Sequence, residues 1–144
     1  MSTIETDAAA VNFEAFSRAC DLVDAYFGNT IDDVALSAPV SRAQLVAVLA
    51  RAHLSGRSIP LEQLQTTGTL AYRSDRETLW WLEGGFWTDL RCHHHLAPEE
   101  ARAGREVHRR IIEAVDGDVP YYNRERDPLV RIEPKQSENG RSWD

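Results

Sequence analysis

The stretch GTLAYRSDRETLWWLEGGFWTDLRCHHH, residues 68–95, decides the fold, because here apolar residues stop recurring every three or four positions and begin to alternate. Leu70 and Tyr72 alternate against Ala71 and Arg73, as strand side chains do on opposite faces of a sheet. Ser74-Asp75-Arg76-Glu77 reads as a turn. Thr78 to Glu83 then reads as a second strand, with Trp80 and Leu82 on one face and Leu79 and Trp81 on the other. Gly84-Gly85 suits a two-residue hairpin connection, since glycine tolerates positive φ at both positions. Alternation continued from Phe86 to His95 predicts a third strand with His94 inward and His93 and His95 outward, and a helix from Phe86 is its rival. Trp80 and Trp81 face opposite ways, so one of them needs cover from a helix or from a second chain, which makes self-association a hypothesis.

On both sides of this stretch the apolar period is helical. Phe13, Phe16, Cys20, Val23 and Phe27 form one stripe, and Gly28 is placed to close that helix. Ser41-Arg42-Ala43-Gln44 is a capping box, in which the hydroxyl and the amide each satisfy a free backbone donor. The helix it opens runs to Ser55-Gly56 and leaves only a narrow polar stripe of Gln44 and Arg51, so it reads as the central helix. Pro60 permits a short helix from Leu61 to Gln65. Pro98-Glu99-Glu100 opens a last helix whose inward side is Ala101, Gly104, Val107, His108, Ile111, Ile112 and Val115. Leu129 to Ile132 can add a small strand. The expected fold is α+β: a helix-dominated single domain over residues 1–133, with three to four helices and a short antiparallel β-hairpin or three-stranded meander. Residues 134–144 read as a polar, disordered tail.

The composition excludes some functions. A chain of 144 residues with 42% hydrophobic content can build a core without staples, and no apolar run approaches a membrane span. The start lacks the basic region of a signal peptide, so a cytoplasmic location is expected, with Cys20 and Cys92 as two buried thiols rather than a disulfide. The net charge of −7 is concentrated in the first forty residues and argues against a nonspecific polyanion binder. Glu99, Glu100, Glu106 and Glu113 offset the arginines of the last helix, which reads as a salt-laced solvated face.

Three functional readings remain. The first is a non-catalytic interaction or regulatory module acting through self-association or a protein partner. The second rests on element order: helix, helix, short helix, hairpin and C-terminal helix resembles the order of winged-helix regulators, in which the third helix enters the major groove. That resemblance implies DNA as a partner, with Arg57, Arg73 and Arg76 closest to it, although residues 60–67 hold no Arg or Lys. The third is a metal-dependent hydrolase or nuclease: on a strand His93 and His95 point the same way, and His108 would complete an open zinc site, with Asp89 as a base. The chain has no nucleophilic serine elbow, phosphate loop or paired-cysteine zinc motif, which points away from an enzyme.

Overall fold

A computed structural model describes residues 2–116 and 126–133, with side chains over 13–115 and 126–133. The element order is α1 (Ser2–Ser37), α2 (Arg42–Arg57), α3 (Leu61–Thr67), β1 (Gly68–Arg73), β2 (Glu77–Leu82), α4 (Phe86–His94), α5 (Pro98–Asp116) and β3 (Asp127–Ile132). The strands form one antiparallel sheet in the order β1-β2-β3. This is the α+β architecture expected, with five helices among the described residues because the segment after Gly85 is helical. The tail from Pro134 onward lies outside the described residues. Among the described residues no helix is long and apolar enough to cross a membrane.

Helix α1 does not stop at Gly28. Ala19, Val23, Phe27, Ile31 and Val34 continue one buried stripe at spacings of four and three, and that burial carries the helix through the glycine. Phe13, five helical turns before Ile31 and so on the same face, is nonetheless 71% exposed. The capping box opens α2 as read: Gln44 N donates to Ser41 Oγ at 3.0 Å, and Ser41 N donates to Gln44 Oε1 at 2.7 Å. Helix α2 packs against α1, α4, α5 and β3, and buries Leu45, Val48, Leu49, Ala52 and His53.

The third strand is not the segment from Phe86. Gly84, at φ +84°, turns the chain off the end of β2, and Gly85 becomes the N-cap of α4. A strand would place Trp87 and Leu90 on opposite faces, whereas the helix buries both against Val48 and Ala52 of α2. The central strand β2 instead pairs with β3, from Glu77 opposite Ile132 to Leu82 opposite Asp127.

Helices close the outer edge of β3. Val130 N donates to His108 Nδ1 at 2.9 Å, and Trp87 Nε1 donates to the Pro128 carbonyl at 2.9 Å. Residues 128 and 130 have the same parity, so these backbone groups both turn away from β2. Proline is tolerated at 128 because an amide there would have faced outward from the ladder. The Asp127 carboxylate adds contacts to Trp87 N at 3.1 Å and Arg105 Nε at 3.3 Å. The donor at 130 and the acceptor at 128, which an open edge would leave free, are thereby paired within the chain.

The pairing of β1 with β2 shifts from Leu70 opposite Trp80 to Tyr72 opposite Leu79, leaving Ala71 as a bulge. Leu70 and Tyr72, expected on one face, therefore lie on opposite faces. The inner face presents Leu79, Trp81, Val130 and Ile132 to α1, α2 and α5, while the outer face places Trp80, Leu82 and Leu129 against Leu64 of α3. Both tryptophans are covered by their own chain, so neither supplies a reason for a second copy.

Gly104 of α5 tests this packing. An added Cβ would lie 2.8 Å from Val48 Cγ1 and 2.9 Å from Trp87 Cζ3, whereas one at Gly28 would meet nothing within 4 Å. Urea unfolding should show Gly104→Ala less stable by about 1–2 kcal/mol, despite alanine's better helix propensity, and Gly28→Ala more stable by up to about 1 kcal/mol. Equal effects at the two sites would contradict the packing described.

Candidate functional site: the groove between α3 and α4

The corner at Gly84 and Gly85 directs α4 away from the sheet, while α3 leads into β1 beside it. Glu83 N donates to the Thr67 carbonyl at 2.9 Å and ties the two approaches together. Between them lies an open groove of about 740 Å³. Leu64 of α3, Leu82 of β2, and Phe86 and Leu90 of α4 supply its apolar lining. Asp89 and His93 line the α4 side and stand four residues apart, hence on one helical face. Glu83, which pairs with Arg126 at 3.5 Å, and Asp89 are its carboxylates, and no arginine or lysine lines it among the described residues.

The structure separates the three histidines read as a metal site. His93 is exposed on α4, and His95 leaves the helix in the left-handed region at φ 57°, where Leu96 N donates to the Arg91 carbonyl and closes the turn. Strand alternation, which aligned them, does not apply to a helix, whose residues two apart point about 200° apart. His108 is 1% exposed inside the core, its Nδ1 taken by Val130 N. Among the described residues no group of three or more His, Cys, Asp or Glu is placed to hold a metal ion. His94 accepts from Arg51 Nη1 at 3.3 Å, and burial together with that charge lowers its pKa. Cys20 is half-buried and Cys92 exposed; both are free, so the expectation of two buried thiols holds for neither.

Arg57, Arg73 and Arg76 are exposed at the end of α2, the end of β1 and the hairpin turn. Arg73 belongs to a cross-strand row, opposite Thr78, which is itself opposite Arg131. The Arg57 carbonyl accepts from Arg131 Nη2 at 3.5 Å. Arg76 acts elsewhere: its charge is felt at Tyr26, whose hydroxyl donates to Glu77. Helix α3 packs on β1 and β2 and buries Leu64 there.

Sequence reasoning missed Arg131, His53 and the role of Trp87. The legible signals were an arginine inside the apolar strand 127–132 and the helical spacing of Trp87 and Leu90. His53 carries no such mark, since its burial follows from α2 being enclosed on several sides.

The molecule is thus a small α+β domain with helices on both faces of a three-stranded meander. The chain belongs to the family described as Domain of unknown function (DUF8048), whose model matches residues 21–133. That span takes in the groove, the closed edge of β3 and the arginine row. No curated protein and no solved structure matches the chain.

Two buried histidines set a pH dependence. Burial, then Arg57, lowers His53 from the ordinary 6.5 to about 4, and burial, then His53, lowers His108 to about 3. Unfolding returns both to ordinary values, so the unfolded chain binds more protons as pH falls below 6.5. Their contribution is complete above that value and declines as pH drops toward the folded-state values. Between pH 6.5 and about 5 carboxylates stay ionised in both states, so histidines dominate. The denaturation midpoint should fall across this window, with a shallower fall in His108→Gln; a flat midpoint in the parent chain would contradict this.

Proposed function

We propose that the chain is a non-catalytic binding module that holds an apolar anchor side chain of a basic partner segment in the groove between α3 and α4. The observation that carries this reading is the groove's composition: an apolar lining from Leu64, Leu82, Phe86 and Leu90, with Glu83 and Asp89 as its charged side chains and His93 beside them. Its volume of about 740 Å³ falls in the range of sites that enclose a compact ligand or a few side chains. The net charge of −7 favours encounter with a cationic segment. We place the protein in the cytoplasm, where its two free cysteines stay reduced.

Selection of a displayed random-peptide library on the folded protein tests the proposal. Enriched peptides should combine one large apolar residue with Lys or Arg. Asp89→Arg, at an exposed position, should weaken their binding about ten-fold or more while leaving the unfolding midpoint near its parent value. Absence of enrichment, or peptides indifferent to this change, would overturn it.

A further inference from the structure

On the outer face of the sheet, α3 leaves a second recess toward the hairpin end, of about 480 Å³. It shares no lining residue with the α3–α4 groove. Trp80, Leu61 and Leu70 line it as apolar surface, and the Trp80 indole donor is already taken by Thr78 Oγ1 at 3.0 Å. Arg73, Thr78 and Arg131 cross its end as one row, and residues directly opposite each other on adjacent strands project from the same face. With strands about 4.8 Å apart, the two arginine Cα atoms are about 10 Å apart, within reach of one shared ligand.

Neither arginine has an ion pair among the described residues, whereas Arg110 and Arg126 each have one and Arg42 and Arg109 each have two. Arg131 is the more telling of the two. Among the described residues its Nε is buried with no hydrogen-bond partner, and its Nη2 makes one contact, at 3.5 Å to the Arg57 carbonyl. That guanidinium is under-satisfied, and a ligand oxygen at its Nη atoms would add a charge-assisted bond. Glu133 lines the same recess without forming an ion pair with either arginine.

We propose that Arg73 and Arg131 form a site for a compact anion: a carboxylate or phosphate group carried on an apolar body that rests against Trp80, Leu70 and Leu61. Planar guanidinium forks suit both oxyanions. The anion is compact because the surroundings oppose a polyanion: Glu62 on α3 and Asp75 in the hairpin turn are exposed nearby in sequence, and the whole chain carries −7.

The test is a titration of the ¹⁵N-labelled full chain followed through the Arg131 Nε–H and Trp80 indole signals. The probes are 4-phenylbutyrate, phenyl phosphate, the neutral 4-phenylbutyramide, a capped Leu-Glu-Phe peptide and a single-stranded DNA oligonucleotide. Saturable shifts of both signals are expected with the two small anions and not with the amide. Arg131→Gln should weaken binding about ten-fold. Arg73→Gln, at an exposed position, should do the same without touching the core. Tighter binding of the peptide than of the free acids assigns the anion to a protein partner, and the reverse order assigns it to a free metabolite; both support the site. No saturable shift at millimolar anion, equal response to the amide, or indifference to both substitutions would overturn it. Oligonucleotide binding through the same arginines with a steep salt dependence would overturn the compact-anion assignment in favour of nucleic acid.

Discussion

The amide of Val130 meets His108 Nδ1 at 2.9 Å, and the rest of the structure depends on that contact. It is the point at which α5 grips the edge of the sheet. Since Nδ1 accepts, the imidazole is neutral and carries its proton on Nε2, which has no partner among the described residues. The ring is held between Phe27 of α1, stacked at 5.2 Å, and Trp87 of α4, edge-on at 4.9 Å. Trp87 in turn donates to the Pro128 carbonyl, so two of the strand's outward backbone groups are paired by two helices. Loss of the acceptor at 108 would leave a buried amide unpaired, at a cost of about 1–3 kcal/mol. A charged ring would both lose that bond and carry its charge into an apolar cage.

Sealing one edge and one face of the sheet determines where binding surface remains. The inner face is filled by α1, α2 and α5, and β3 is closed by α4 and α5. Among the described residues the outer face is covered chiefly by α3, with Ile59 and Phe86 packed at its margin, and α3 spans Leu61–Thr67 and is too short to hide three strands. Recesses remain on either side of it, one lined by Glu83 and Asp89 and the other crossed by Arg73 and Arg131. Their opposite charges follow from which residues the strand ends and α4 bring to each side. The buried polar groups elsewhere, His53 and His108, are enclosed by packing.

Much of this was legible in the sequence. The Ser41–Gln44 capping box, the inward face of α5 from Ala101 to Ile112, the hairpin and the outlying strand near Leu129 all carry local chemical signals that tertiary packing preserves. The segment from Phe86 was not legible by alternation, since Phe86, Thr88 and Leu90 fit a period of two while Trp87, Leu90 and His94 fit a helix. Burial of Trp87 against α2 and the Pro128 carbonyl decides between them, and both are remote in sequence. The same ambiguity aligned His93 with His95. Gly28 misled for a related reason: glycine permits a helix end but does not impose one when Ile31 and Val34 extend the buried stripe. The arginine row was hidden because it joins Arg73 to Arg131 through β2, a pairing visible only once the sheet is assembled.

The tautomer of His108 tests the account most directly. In ¹⁵N-labelled protein the structure predicts a neutral ring protonated at Nε2 from pH 5 to 8 (about the range set by burial), with a coupling across the hydrogen bond from the Val130 amide to Nδ1 and slow exchange of that amide. A ring protonated at Nδ1, an imidazolium within that range, or a rapidly exchanging Val130 amide would contradict it.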